Sequence, residues 1–172
     1  MIVAPTSDWR GRWLWLTLTL AIVAADRAVK YAVERYTSEG FRRDLVPNII
    51  VLVHNVNSGI AFGLFSESAP RWISALLIGS SSVVIVMLLW LLIAGRAGDT
   101  WCQAGLALIA GGAAGNLLDR LLHGGVTDFL ELHAGSFVWP AFNLADTAIT
   151  VGAFLVILDL LQGGQHASRE RV

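Results

Sequence analysis

The sequence of 172 residues has a single cysteine and few charged side chains. One cysteine, Cys102, excludes both an internal disulfide and a metal site built from several thiolates. Twelve basic and thirteen acidic residues give a net charge of −1, so the chain lacks the positive field that holds nucleic acid. Charged residues make up only 15% of the chain and hydrophobic residues 55%, whereas a soluble domain has about 25% charged residues. This composition predicts a small integral membrane protein.

Four apolar segments are candidates for membrane-spanning helices, each of which needs roughly 20 mostly apolar residues to cross the hydrocarbon. Trp72–Ala94 and Thr100–Leu118 contain no charged residue, and Trp13–Ala25 and Thr147–Leu158 are shorter. The first short segment has an alternative interpretation as a secretory signal, because arginines precede it and small residues follow it. We expect four transmembrane helices, at about 12–33, 71–94, 100–121 and 143–162, in one domain covering residues 1–172. The fold class expected is therefore an all-α membrane protein.

The two long connections between these segments are expected on the same side of the membrane. With four spans, residues 34–70 and 119–142 both lie on the side opposite the termini. Ile49–His54 is apolar and β-branched and predicts a strand, which leads into the turn-forming residues 55–59. We therefore expect a small extracytoplasmic β-sheet, or cradle, between helices one and two. Arginines are denser near the termini and in the tight link 95–99, so the positive-inside rule places the termini in the cytoplasm.

Several aspartates border the short apolar segments. The twelve residues between Asp146 and Asp159 cover only roughly 18 Å as a helix, so at least one of these carboxylates lies at membrane depth. The same reasoning applies to Asp26, which has Lys30 four residues later as an ion-pair partner. Ionisable groups at such depth mark function by default. Structural alternatives stay open: an ion pair at a helix end for Asp26 and Lys30, and a helix cap formed by Asn143 and Asp146.

Two carboxylates are the candidate catalysts once other chemistries are set aside. Cys102 begins the third span on the side of the termini, and the sequence has neither a Gly-x-Ser-x-Gly turn nor a His-Glu-x-x-His zinc motif. Asp128 and Asp146 are both expected on the other side. Two acids close together at low dielectric cannot both ionise, so one takes a proton from water while the other donates to the attacked carbonyl. Asp119 is expected to pair with Arg120 or with solvent.

Five short motifs, in order, resemble those of bacterial lipoprotein signal peptidase, the signal peptidase type II family. They are Asp26-x-x-x-Lys30, Asn57-Ser-Gly59-Ile-Ala-Phe62-Gly63, Asn116-Leu-Leu-Asp119-Arg120, Gly125-Val-Thr-Asp128-Phe129 and Phe142-Asn143-Leu-Ala-Asp146. The resemblance covers residues 26–146 and includes the four-span plan. Ile60 departs from it, because the family usually has a small residue there.

The resemblance implies an aspartyl endopeptidase of the bacterial inner membrane that cuts diacylglyceryl-modified prolipoproteins before the lipidated cysteine, on the periplasmic side. Asp128 and Asp146 would be the catalytic pair. The residues implied to line the site, or to hold substrate or the carboxylates, are Asn57, Gly59, Asn116, Arg120 and Asn143, with Asp26 and Lys30 as the pair on the first helix. The expected partners are the lipid-modified precursor and membrane lipid. We expect a monomer that needs no metal and no cofactor.

Two other functions stay open. A small transport or proton-relay protein would use the acids and bases as a polar path, yet these groups cluster on one membrane face and spans two and three offer no charged step in their middle. A membrane assembly subunit without activity is supported only by the small residues Ala107, Gly111 and Gly115, which favour close helix packing.

Overall fold

The computed structural model describes residues 9–59 and 71–169. Along these residues the chain forms four helices and four strands. Their bounds are α1 Trp9–Tyr36, β1 Arg42–Val46, β2 Ile50–Asn57, α2 Arg71–Ile93, α3 Thr100–His123, β3 Val126–Ala134, β4 Phe137–Phe142 and α4 Leu144–Arg169. The motif positions Ile60, Phe62 and Gly63 lie outside the described residues.

Three helices in this part of the chain are long and apolar enough to cross a membrane. They are Trp72–Ile93, Thr100–His123 and Leu144–Gln162, which agree with the second, third and fourth predicted spans. The first predicted span is also helical, as part of the 28-residue α1, but it is not among the three. The reason is that Arg12 lies near its start and charged residues from Asp26 onward interrupt its second half. The prediction of four transmembrane helices is thus supported for three segments.

α3 is the central helix and packs against each of the other three helices. Its glycines permit this, because a Cβ at Gly112 would lie 2.3 Å from the carbonyl oxygen of Ala145 in α4. A Cβ at Gly111 would lie 2.9 Å from the carbonyl oxygen of Thr19 in α1. Backbones that approach so closely exclude any larger residue at these positions. The small residues of α3 therefore set the spacing of the bundle.

A four-stranded antiparallel sheet in the order β1-β2-β3-β4 follows the ends of α1 and α3. The predicted strand Ile49–His54 is confirmed as the greater part of β2. The sheet was predicted between helices one and two only, whereas β3 and β4 come from the connection between α3 and α4. The fold is therefore not purely α-helical. A two-stranded hairpin alone is marginal in water, and β2 obtains its second row of hydrogen bonds from β3, with Asn57 opposite Val126. Both long connections therefore meet at one end of the bundle, as expected.

Candidate active site

A cavity of about 330 Å³ lies where the sheet meets α3 and α4. Its polar lining consists of Asn57, Asn116, Arg120, Asp128, Asp146 and Thr150. The strand β4 supplies much of the apolar lining, from Trp139 to Phe142. The two carboxylates predicted to form the catalytic pair therefore face the same cavity, although they are distant in sequence.

Asn143, which is fully buried, holds both carboxylates. Its side-chain Nδ2 donates a hydrogen bond to Asp128 Oδ1 at 2.7 Å, and its backbone N–H donates to Asp146 Oδ2 at 3.3 Å. The backbone N–H of Asp146 in turn donates to Asn143 Oδ1 at 2.9 Å, which completes a reciprocal cap at the start of α4. The two readings left open by the sequence are compatible, because Asp146 caps the helix and also lines the cavity. Its Oδ1 accepts a hydrogen bond from Asn116 Nδ2 at 2.8 Å.

Asp128 lies in β3 and is only 4% exposed. Besides Asn143, Asn57 at the end of β2 contacts this carboxylate, with Nδ2 at 3.4 Å from Oδ2. Burial, followed by the negative charge of Asp146, raises the pKa of Asp128 to about 7, against the opposing effect of the two amide hydrogen bonds. A carboxyl group in this setting is present in both protonation states near neutral pH.

Asp26 and Lys30 form a fully buried ion pair on α1, with Nζ at 2.7 Å from Asp26 Oδ2. This confirms the predicted pairing, and neither residue lines the cavity. Lys30 Nζ also donates to Asn116 Oδ1 at 3.0 Å, and the amide nitrogen of Asn116 is the one that donates to Asp146. The pair therefore reaches the candidate site through one neutral amide.

The expectation that Asp119 pairs with Arg120 or with solvent was wrong. Asp119 is fully buried, and its oxygens contact Lys30 Nζ at 2.9 Å and Arg27 Nη1 at 2.7 Å. Neighbouring positions on a helix point in different directions, so Arg120 faces the cavity while Asp119 faces α1. Sequence reasoning also missed Arg27 and Glu34. Their spacing of seven residues, beside the recognised Asp26 and Lys30, was the available signal that one face of α1 is charged.

Arg120 lines the cavity without contacting either aspartate in the described part of the chain. Its Nη1 and Nη2 reach the carbonyl oxygens of Asn116 and Gly59, each at 3.4 Å, and its Nε has no partner among the described residues. Gly59 in turn donates its N–H to Asn57 Oδ1 at 3.0 Å, so these residues form a compact turn beside the cavity. Each terminal nitrogen of Arg120 has a second N–H, so the guanidinium retains donors for a carbonyl oxygen of a ligand, whereas the Nε is buried.

One group of side chains in the described residues has the spacing of a metal site. Oxygens of Glu34 and Asp119 and a ring nitrogen of His123 lie within 4.8 Å of one another. Both carboxylates, however, already bind the guanidinium of Arg27. A cation there would compete with this arginine, so the group is explained as part of an ionic network.

The arrangement of helices and sheet is that of known bacterial membrane enzymes. One solved structure described as a bacterial membrane enzyme superposes with a TM-score of 0.79, covering 89% of this chain and 90% of that chain at 24% identity. A second superposes with a TM-score of 0.75, covering 86% and 92% at 24% identity. The chain therefore has the same fold as these two solved structures.

Sequence comparison gives the family within that class. Residues 18–162 match the family model described as signal peptidase (SPase) II. The chain is 37% identical over 160 residues to lipoprotein signal peptidase of Solibacter usitatus, covering 91% of this chain and 96% of that protein. It is 41% identical over 155 residues to lipoprotein signal peptidase of Pseudomonas syringae pv. tomato, covering 88% of each. The chain belongs to the signal peptidase II family, and it is a membrane-embedded peptidase.

Proposed function

We propose that this chain is an aspartyl endopeptidase that removes signal peptides from diacylglyceryl-modified prolipoproteins, cutting before the lipidated cysteine. The observation that carries the proposal is the convergence of Asp128 and Asp146 on one cavity, with Asn143 bonded to both. The raised pKa of Asp128 supplies the asymmetry that acid–base catalysis requires. The substrate class is supported by the relatives, which are named lipoprotein signal peptidases.

In the proposed reaction Asp128 starts protonated and Asp146 acts as the base. Asp146 takes one proton from a water molecule while the water oxygen bonds to the carbonyl carbon of the scissile peptide. Asp128 donates its proton to the carbonyl oxygen, which gives a tetrahedral diol. The carbon–nitrogen bond then breaks as Asp146 returns its proton to the leaving nitrogen. Asp128 recovers a proton from one hydroxyl of the diol, so both carboxyl groups end as they began.

Side-chain amides position the two carboxylates in this scheme. Asn143 orients Asp128 through its side-chain amide and Asp146 through its backbone N–H. Asn116 donates to Asp146 Oδ1, and Asn57 contacts Asp128. Amide donors hold a carboxylate in place without adding a full positive charge, so they constrain its geometry more than its protonation.

The remaining site residues fit supporting roles. We propose that Arg120 and the turn at Gly59 hold the substrate backbone, because Arg120 and Asn57 line the cavity, and Gly59 contacts both of these residues. Asp26 and Lys30 support the site from inside the bundle, since Lys30 fixes the orientation of the Asn116 amide. These two groups of residues therefore act at different distances from the reacting atoms.

We further propose that α1 is the fourth transmembrane helix. Asp26 and Lys30 are fully buried against the bundle, so they do not expose charge to lipid despite their position in the helix.

Four spans put both long connections on the side opposite the termini. With the termini in the cytoplasm of a bacterial inner membrane, the cavity lies on the periplasmic side. A lipid-anchored precursor would present its scissile bond there at the level of the headgroups. Its lipid anchor would then hold this bond beside the two carboxylates. We propose that the chain acts as a single-domain monomer without a cofactor.

The test is cleavage of a lipidated precursor peptide by purified full-length protein. Asp128→Asn and Asp146→Asn are each expected to abolish cleavage while the helical content is unchanged. Asp44→Asn, which alters an exposed carboxylate of β1, is the matched control and should cleave at the normal rate. A precursor without the diacylglyceryl group should stay uncut. Near-normal cleavage by either variant would refute the catalytic pair, and a solute flux in proteoliposomes that Asp128→Asn leaves unchanged would favour transport.

A further inference from the structure

Thr127, the residue before Asp128, is held by two carboxylates from different helices. Its hydroxyl Oγ1 donates to Glu34 Oε1 of α1 at 2.8 Å, and its backbone N–H donates to Asp119 Oδ2 of α3 at 3.3 Å. Thr127 is only 3% exposed, so water cannot readily replace either partner. Successive residues of a strand point to opposite faces. The side chain of Thr127 is therefore bound on the face of β3 opposite the cavity, and Asp128 points into the cavity.

Arg27 joins the two carboxylates that grip Thr127. Its Nη1 donates to Asp119 Oδ1 at 2.7 Å, and its Nη2 bonds to Glu34 Oε2. A planar guanidinium with two carboxylate partners fixes the positions of both. Arg27, Glu34, Asp119 and Thr127, here called the Thr127 clamp, thus tie α1 and α3 to the start of β3.

The clamp and the amide contacts of the cavity act on opposite sides of the same strand. Gly124 ends α3 in a left-handed conformation, with φ +76°, and β3 begins at Val126. The clamp contacts Thr127, the second residue of this strand, immediately before the candidate catalytic position. Asn57 and Asn143 contact Asp128 itself, and they come from other elements. The backbone of β3 at this point is held by the clamp, by its pairing with β2, where Val56 lies opposite Thr127, and by Asn143 Nδ2, which donates to the carbonyl oxygen of Thr127 at 3.4 Å. Of these contacts, the clamp is the one that ties this backbone to α1 and α3.

We propose that Glu34 and Arg27 are positioning residues for Asp128, acting through Thr127. The inference rests on the proposed function, because it requires Asp128 to be a catalytic residue. Loss of the clamp lets the start of β3 shift relative to α4, which carries Asp146. A misplacement of about 1 Å can cost on the order of 100-fold in rate. The clamp does not line the cavity, so substrate binding is not its target.

The test compares variants of the full-length enzyme in steady-state cleavage of a lipidated precursor. Thr127→Val removes the hydroxyl and keeps the shape of the side chain, and Thr127→Ser retains the hydroxyl. We expect Thr127→Val to lower kcat by about 10- to 100-fold with KM within about twofold, and Thr127→Ser to recover most of kcat. Glu34→Gln, which weakens the contact with Arg27, should also lower kcat. Thr17→Val, which removes an exposed hydroxyl of α1, is the control and should change neither parameter.

The double variant Glu34→Gln/Thr127→Val gives a sharper readout. If both residues act in one network of contacts, the slowing of the double variant is expected to be smaller than the product of the two single effects. Independent effects that multiply would overturn the inference. So would a kcat for Thr127→Val within twofold of the wild type, a rise in KM alone, or a Thr127→Ser variant as slow as Thr127→Val.

Asp128→Asn in the same assay distinguishes a failure of the Thr127 clamp from a failure of the catalytic pair. An inactive Asp128→Asn beside a fully active Thr127→Val would refute the clamp and leave the catalytic pair intact. An active Asp128→Asn would refute the catalytic pair, and with it the premise that the clamp positions a catalytic residue. Thermal unfolding of each variant shows whether its fold is retained, and Glu34→Gln, whose side chain is partly exposed, serves if Thr127→Val does not fold.

Discussion

The burial of Asp128 predicts that the protein loses stability as the pH rises and that Asp128→Asn removes this loss. The pKa of Asp128 is raised from an ordinary 3.8 to about 7 in the folded protein. The folded state therefore binds this proton more tightly than the unfolded chain does. Its contribution to the free energy of unfolding is fully present below about pH 3.8, falls as the pH rises, and is lost above about pH 7.

The size of the effect follows from the same two pKa values. Their difference corresponds to about 4 kcal/mol, at about 1.4 kcal/mol per pH unit. An asparagine at position 128 escapes this loss, and its amide oxygen can accept the hydrogen bond from Asn143. Its amino group, however, would face the donor of Asn57, at a cost of about 1 kcal/mol. Relative to the wild type, Asp128→Asn should be more stable by about 3 kcal/mol at pH 8.5 and by less than about 1 kcal/mol at pH 5.

The assay is unfolding of the purified protein in detergent micelles at both pH values, followed by the fluorescence of its seven tryptophans. Glu39→Gln is the matched control, because it neutralises an exposed carboxylate in the turn before β1. It should change the unfolding free energy by the same small amount at both pH values. An Asp128→Asn variant with equal relative stability at pH 5 and pH 8.5 would show that burial does not raise this pKa. The role of Asp128 as the acid would then lose its physical basis.

Two further predictions concern the rate and the packing of the bundle. Because the proposed reaction requires Asp128 to be protonated, kcat/KM for a lipidated precursor should fall about tenfold per pH unit above about pH 7, and a flat profile to pH 9 would contradict this. Gly112→Ala places a Cβ 2.3 Å from the carbonyl oxygen of Ala145, so it should lower the unfolding free energy by about 1–3 kcal/mol and slow cleavage. Gly79→Ala, where a Cβ meets nothing within 4 Å, should change the unfolding free energy by no more than about 1 kcal/mol, as thermal unfolding would show.

α2 and α3 could be predicted because their apolar windows are uninterrupted, whereas the windows of α1 and α4 are shorter and bordered by aspartates. Half of the sheet was not predicted. β2 follows a polar stretch and consists of β-branched residues, which is a local signal. The pairing of β3 with β2 forms only when the end of α3 lies beside β2, and no local pattern encodes that long-range contact. A local signal for the β3–β4 hairpin did exist in the sequence, namely Gly135 followed by Ser136. In the structure Gly135 adopts φ +63° in the turn between these strands. A glycine with a small polar neighbour between two apolar runs is typical of such turns.

The members of the candidate site could be predicted better than their partners. Asp128, Asn143 and Asp146 were assigned to one side by counting spans, which needs no knowledge of helix rotation. The partners of Asp119 depend on how α1 is turned against α3. That rotation is set by close approach, since a Cβ at Gly115 would lie 2.7 Å from Asp26 Oδ2. The absence of a side chain at Gly115 thus allows the buried charged groups of α1 to meet α3, and the separation of these residues along the sequence does not predict this contact.

The cations near Asp128 and Asp146 form no salt bridge with either carboxylate among the described residues, so no direct cation contact opposes the effect of burial on the pKa of Asp128. Lys30 directs its contacts to Asp26, Asp119 and the amide of Asn116, and only the amide passes a hydrogen bond on to Asp146. A direct ammonium contact would favour the ionised form of Asp128 and remove the acid that the proposed reaction needs. The cations Arg27 and Lys30 instead contact Asp26, Glu34 and Asp119, and the two proposed catalytic carboxylates are held by neutral donors.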